Sequence, residues 1–210
     1  IEATKSIPDD RKLLISADLS QRDGYLKLWQ AAKSWRGKVD VLVANAAIMP
    51  EASLLDSDEI WTQAWDSAFE VNVRSSAFLI REAVKHFLDN NGGVIVGLTS
   101  WAAQRGSGNP KLSGYAASKA PINPFLKTIA KTYAKEGVYT YLIAPGIVRT
   151  AMSEASAKTL GGEEKITATL AMGEWVPPQE IANLVAFLST GEQRHLTGST
   201  FDINGASYIR

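Results

Sequence analysis

The sequence predicts an α/β protein built on a doubly wound parallel sheet. Apolar runs of strand length alternate with longer stretches of helical period, the pattern of a parallel sheet with helices on both faces. The run VDVLVA at Val39–Ala44 is apolar with no alternation, as expected for a strand buried on both faces. Asp18, Asn45, Ser100 and Pro145 each follow a separate predicted strand. In such sheets ligands bind beyond the carboxyl ends of the strands, so these residues are expected to meet in one cleft.

In chain order, Leu13–Ile15 reads as a short strand ending near Asp18, and Tyr25–Trp35 as a helix. Val39–Ala44 follows as a strand. Asp58–Leu88 reads as one long helix, with Trp61, Ala64, Trp65, Ala68 and Phe69 at three- and four-residue spacings. Gly92-Gly93 stops it before a buried strand, Val94–Leu98. Gly114–Lys135 is helical, although Pro121 and Pro124 fall inside it, and an interior proline kinks a helix. Tyr139–Ile143 is a strand ended by Pro145-Gly146. Pro178–Ser189 is a helix and Thr200–Ile203 a last short strand.

The 210 residues suit a single domain, and 45% hydrophobic with 21% charged residues predicts a substantial core. Twenty-two basic residues balance 22 acidic ones, which gives no electrostatic reason to expect nucleic acid or an anionic membrane as partner. No apolar run approaches the ~20 residues of a membrane helix. The absence of cysteine excludes disulfides, thiolate metal sites and cysteine nucleophiles. His86 and His195 are isolated, lack metal-ligand spacing and read as surface residues. Trp61 and Trp65 share a helix face and read as core or subunit-interface residues.

Tyr115 and Lys119 are four apart on a predicted helix and so share a face. A free phenol, with a pKa near ~10, is a poor acid or base at neutral pH. A neighbouring ammonium stabilises the phenolate, which makes the pair a candidate for proton exchange. Such a pair also arises by chance on many helices. Here it lies 15 residues after Ser100, which ends the strand VIVGLTS. Asn72, a mid-helix asparagine in FEVNV, calls for a polar partner if buried.

This set resembles the short-chain dehydrogenase/reductase family, with its Y-x-x-x-K motif, preceding serine and helix-borne asparagine. The resemblance runs along essentially the whole sequence. Asp18-Leu19-Ser20 resembles the aspartate segment facing the adenine ring. Asn45-Ala46-Ala47 resembles the N-N-A-G segment, with Ala44 and Ala47 in place of asparagine and glycine. Pro145-Gly146-Ile147-Val148-Arg149-Thr150 resembles the P-G-x-x-x-T loop beside the nicotinamide. Pro178–Ala182 resembles the P-E-E-I-A helix start, and Thr197–Gly205 the final T-G strand.

The resemblance implies a Rossmann-like single domain and an NAD(P)-dependent oxidoreductase. Hydride would pass between NAD or NADP and a small-molecule carbonyl or alcohol substrate. Tyr115 would exchange a proton with the substrate oxygen, and Ser100, rather than neighbouring Thr99, would hold and polarise it. Lys119 would lower the tyrosine pKa and bind the nicotinamide ribose, and Asn72 would support a water linking Lys119 to solvent. Asp18, Leu19, Asn45, Ala46, Ala47, Pro145, Gly146, Val148 and Thr150, with Tyr115 and Lys119, would contact the cofactor. No metal is implied. A cytoplasmic homo-oligomer, dimer or tetramer, goes with the same resemblance.

Three departures stand out. The serine-to-tyrosine spacing is slightly longer than usual, with the extra residues in Gln104–Lys111. Pro121 and Pro124 interrupt the catalytic helix. The glycine-rich phosphate loop T-G-x-x-x-G-x-G is absent, as are the first two strands. Glycines let a backbone approach the pyrophosphate at a helix N-terminus. The sequence therefore reads as N-terminally incomplete, lacking a strand-helix-strand unit of roughly 40 to 50 residues. Without it two apolar edges are expected at the middle of the sheet, and stable independent folding is not.

A second function class is a non-catalytic binding or scaffold protein that kept the fold, since fold alone does not fix function. The joint presence of Asn72, Ser100, Tyr115 and Lys119 favours the enzyme. A hydrolase lacks support, because no G-x-S-x-G elbow occurs. Residues 150–175 read as a mobile lid over the site. In it Met152, Leu160, Leu170, Met172 and Trp175 suit either a pocket lining or ordinary lid packing.

Overall fold

A computed structural model describes residues 4–210. Its centre is a four-stranded, all-parallel sheet in the order β1-β2-β3-β4, formed by β1 (Val41–Ala44), β2 (Gly93–Leu98), β3 (Val138–Pro145) and β4 (Thr200–Ile203). Val41 pairs with Val94, Gly93 with Val138, and Leu142 with Thr200. The doubly wound reading holds, and the helices divide between the two faces.

One face is covered by α1 (Arg22–Arg36), α3 (Ser76–Asp89) and α6 (Ile122–Tyr133). Trp29, Ile80, Val84, Phe87, Leu126 and Ile129 there meet Ile95, Val138 and Leu142 from the sheet. The other face is covered by α9 (Pro178–Ser189), whose Ile181, Leu184, Val185 and Leu188 pack on Val94, Val96, Tyr141 and Ile143. Period-2 alternation within strands that are buried on both sides explains the unbroken apolar runs of β2 and β3. Gly97 in β2 lets the sheet approach α6 closely: a Cβ there would stand 2.5 Å from a Leu126 methyl.

The long helix expected over 58–88 is continuous but not uniform. It comprises α2 (Asp58–Ala68), a π-helical stretch Phe69–Ser75, and α3. Ser57 caps α2 by accepting the Ile60 N–H, and Asp58 and Glu59 complement the dipole in the first turn. π-turns are rare and concentrate at functional sites; this one carries Asn72. The helix expected over 114–135 is broken at Ala120-Pro121 into α5 (Ser113–Lys119) and α6. Pro121, which has no N–H to donate, is the reason for the break.

Three expectations are corrected. Leu13–Ile15 is not a strand, because no neighbouring strand offers it a ladder. Leu13 and Leu14 are exposed instead, and with Ile15, Leu28, Trp35 and Val39 they line an open apolar groove of about 910 Å3. β1 is not buried on both faces: its outer edge is unpaired, and Val43 is 40% exposed because α9 lies over β2 and β3. His86 is half-buried rather than superficial. Its Nε2 accepts the Val39 N–H at 3.0 Å, and its ring stands edge-on to Trp29. His195 is exposed, as expected. No helix among the described residues is long and apolar enough to cross a membrane.

His86→Phe keeps a ring beside Trp29 but leaves the Val39 N–H without its acceptor just before β1. An unsatisfied, partly buried donor costs about 1–2 kcal/mol. Denaturant melts should show a loss of that size with an unchanged m-value; equal stability would mean that water replaces the imidazole.

Candidate active site

The carboxyl ends of β1, β2 and β3 lie on one edge of the sheet, and most of the candidate residues follow from that. β2 runs directly into Thr99 and Ser100, both buried. The two hydroxyls have different partners. Thr99 Oγ1 donates to the Lys119 carbonyl at 3.0 Å, tying the end of β2 to α5. Ser100 Oγ accepts the Ala102 N–H at 3.1 Å, in the first turn of α4 (Ala102–Arg105), and lies close enough to the Tyr115 phenol to favour its ionised form. The geometry thus separates Ser100 from Thr99, which sequence alone left close.

Tyr115 and Lys119 lie one turn apart on α5, as their spacing requires. Burial pushes the Tyr115 phenol above its ordinary pKa, and Ser100 opposes that rise. The Lys119 ammonium is buried and donates to the Leu98 carbonyl at 2.8 Å. Desolvation lowers its pKa to about 8. The group that lowers the Tyr115 pKa here is Ser100, against the larger effect of burial. The ammonium is held at the end of β2 instead, where it lines a cavity of about 10 Å3 with Asn72, Ser76 and Ser118. A cavity of that size has room for about one water.

Asn72 is buried and fully engaged. Its Oδ1 accepts the Ile48 N–H at 2.8 Å, and its Nδ2 donates to the Ile48 carbonyl and the Ser118 hydroxyl, both at 2.9 Å. Ser118 Oγ donates in turn to the Tyr115 carbonyl at 2.8 Å. One amide thus fixes the loop after β1 against the helix that carries Tyr115 and Lys119. Ser118 was not singled out from the sequence. Its signal was a small polar residue on the buried side of α5.

The remaining candidates divide by position. Asn45 and Ala46 are exposed and Ala47 half-buried, directly after β1. Pro145 ends β3, and Gly146 donates its N–H to the Ile203 carbonyl at 2.8 Å. A Cβ on Gly146 would lie 2.8 Å from that of Asn204, so the close approach of this loop to β4 requires glycine. Val148 forms a parallel bridge with Val176, which pins the base of the lid. Thr150 caps α7 (Ala151–Thr159) by accepting the Ser153 N–H at 3.3 Å. The second lid helix is α8 (Glu163–Thr167).

Asp18 stands apart from these. No strand delivers it to the edge; it precedes α1, with its carboxylate accepting from the Ser20 N–H and hydroxyl at 2.9 and 2.7 Å. Those bonds hold its carboxyl below the usual pKa. Its backbone carbonyl packs against Gly24, where a side chain could not fit. Leu19 is half-buried beside it.

A parallel doubly wound sheet with Ser100, Tyr115 and a buried Lys119 beside open loops at its carboxyl edge is the architecture in which a nucleotide cofactor binds. Comparison with known proteins agrees. A family model described as Enoyl-(Acyl carrier protein) reductase matches residues 2–206. The chain belongs to the short-chain dehydrogenase/reductase family. It is 32% identical over 170 residues to a 3-oxoacyl-(acyl-carrier-protein) reductase of Rickettsia bellii, covering 80% of this chain and 67% of that protein. It is 33% identical over 182 residues to dehydrogenase/reductase SDR family member 4 of Bos taurus, covering 86% and 63%. Among solved structures, one described as an NAD(P)-dependent gluconate 5-dehydrogenase from Beutenbergia cavernae with bound NADP superposes with a TM-score of 0.80. The two are 27% identical, over 92% of this chain and 75% of that one. The chain thus spans about two thirds of the length of the first two relatives.

The burial of Lys119 has a measurable consequence. Its folded pKa of about 8 lies below the unfolded value, so between pH 8 and 10.5 the unfolded chain binds more protons. Stability then rises with pH across that window, and below it the buried charge weighs against folding in full. Lys119→Met removes this dependence. The stability of the unsubstituted protein minus that of Lys119→Met should increase by a few kcal/mol from pH 8 to 10.5 in denaturant titrations. A constant difference would mean that the ammonium is well solvated.

Proposed function

We propose that this chain is an NAD(P)-dependent oxidoreductase that transfers hydride between a nicotinamide cofactor and a carbonyl or alcohol substrate. The observation that carries the reading is the meeting of the buried Ser100 and Lys119 with Tyr115 at the carboxyl end of β2, where the ammonium is tied to the Leu98 carbonyl at 2.8 Å. The described residues suit the nicotinamide half of such a cofactor. The buried ammonium of Lys119 offers donors for ribose hydroxyls, and Pro145–Thr150 supplies a loop for the ring. Asn45, Ala46 and Ala47 border the same edge, and Asp18 with Leu19 would meet the adenine end. When bound, the cofactor supplies or accepts the hydride, while the protein positions and polarises.

The roles of the chain's own groups follow. Ser100 donates a hydrogen bond to the substrate oxygen and polarises it. Tyr115 gives its hydroxyl proton to that oxygen in reduction and takes it back in oxidation. Lys119 exchanges the Leu98 carbonyl for the ribose and stabilises the phenolate as its ammonium approaches. Asn72 holds the β1 loop, and a water in the adjoining cavity links Lys119 outward. NAD and NADP both remain compatible with this set. The enzyme acts in the cytoplasm as a homo-oligomer, dimer or tetramer. In support of assembly, Leu54, Leu55 and Ile60 form an exposed apolar patch around the start of α2. The Trp61 and Trp65 indole N–H groups beside it are buried without a partner.

Tyr115→Phe in the intact polypeptide should lower kcat by at least ~100-fold while leaving cofactor affinity unchanged. Steady-state kinetics with fluorescence titration of the reduced cofactor measures both. Undiminished kcat would sink the assignment.

The unpaired edge of β1 and the apolar groove beside it can take a further structural unit. An upstream strand-helix-strand unit with a glycine-rich turn would pair with the open edge of β1, cover Val43 and bury Leu13, Leu14 and Trp35. A polypeptide beginning at Ile1 should then bind no nicotinamide cofactor in the same titration, whereas one carrying the upstream unit should bind. Equal binding by both would remove the need for that unit.

A further inference from the structure

Trp101 and Ala102 follow Ser100, and Ala116 follows Tyr115. All three belong to one buried cluster whose far side is the lid, through Ala157, Leu170 and Trp175. Tyr208, from the segment after β4, packs on the same cluster. That segment turns back on itself at Gly205 and Ala206, both at positive φ (56° and 58°). It is then held from four directions. The buried Asn204 pairs with the Tyr208 backbone through both amide atoms, at 3.0 and 3.3 Å. Ser207 Oγ accepts the Ala171 N–H of the lid at 3.0 Å. The Tyr208 hydroxyl meets Gln104 of α4 at 3.4 Å. Arg210 makes a two-pronged ion pair with Asp202 of β4, at 2.6 and 3.0 Å. Met172 of the lid lies directly over Gly205.

We propose that residues 204–210 form a clasp that fixes the lid against α4, on a cluster that includes the chain neighbours of Ser100 and Tyr115. Tyr208 is its specificity-determining residue, holding the site to carbonyl compounds with short side groups. The inference rests on the oxidoreductase reading for its chemistry and on geometry for its mechanics. A long substituent beside the reacting carbon would have to part the lid from Trp101. The lid end at Ala171–Met172 cannot move off while Ser207 and Tyr208 hold it to α4 and β4. Each bond is modest, but together they couple three segments that share one apolar cluster. Opening then requires their joint loss.

The test compares Tyr208→Ala, Tyr208→Phe and Ser207→Ala in the intact polypeptide. Hydrogen exchange reports the clasp without reference to catalysis, and the ratio of kcat/KM for decanone over butanone reports side-group size. Tyr208→Ala should speed exchange across residues 167–176 at least tenfold and raise the ratio at least tenfold. Ser207→Ala should move both in the same direction by less. Tyr208→Phe retains the packing ring and should restore both to the unsubstituted values. Unchanged exchange in Tyr208→Ala overturns the clasp, and faster exchange with an unchanged ratio in an active enzyme overturns its control of specificity. If exchange rises as stated but neither ketone is reduced by any form, the clasp stands and the oxidoreductase reading falls.

Discussion

Parallel pairing of β2 with β3 is the constraint on which the site depends. The two strands share a six-residue register, and both are buried almost throughout. Because they run the same way, their carboxyl ends emerge together, delivering Ser100 from one and Pro145–Gly146 from the other. A parallel pair needs a crossover, and the one here carries α4, α5 and α6. Tyr115 and Lys119 therefore lie on the connection between the strands that bracket them. Thr99 locks this arrangement: its N–H donates to the Ile143 carbonyl of β3 and its hydroxyl to the Lys119 carbonyl of α5.

Beside that frame the buried Asn72 network is mutually satisfied. Asn72 spends its amide on Ile48 and Ser118, and Ser118 passes the connection to the backbone of Tyr115. A half-satisfied network in such a place would be worse than an apolar core. The π-helical stretch Phe69–Ser75 brings Asn72 to the β1 loop, a local irregularity that serves a tertiary connection. Lys119 is the exception in charge. It has one carbonyl partner and no carboxylate among the described ion pairs, which keeps its ammonium easy to deprotonate and available to another acceptor.

The periphery contrasts with this centre. β1 has an open edge and an exposed Val43, and the Leu13–Ile15 segment lies across an apolar groove without a ladder. Edges of this kind invite pairing. The lid is pinned at its base, where Val148 bridges Val176, and Arg149 joins its two helices through Glu163 at 2.8 Å while standing over Trp175.

By itself the sequence determined the doubly wound parallel class and most of the strand and helix order, and its resemblance to a family pointed to Asn72, Ser100, Tyr115 and Lys119 as the candidate set. Hydrophobic period is a local property, and the fold class needed nothing else, whereas the candidate set rested on motifs that the resemblance supplied. It also marked Pro121 as a point of conflict within a helix, and the break falls there. Only the tertiary structure decided the partners. It tied Lys119 to the Leu98 carbonyl, turned Asn72 onto Ile48, and made His86 an acceptor for Val39. It left Leu13–Ile15 outside the sheet, although their composition suits a strand, because a strand exists only where a neighbour supplies the other half of its hydrogen bonds. The clasp from Asn204 to Arg210 was likewise invisible in the sequence: its contacts join residues up to 104 apart, and no local pattern encodes a pairing across that distance.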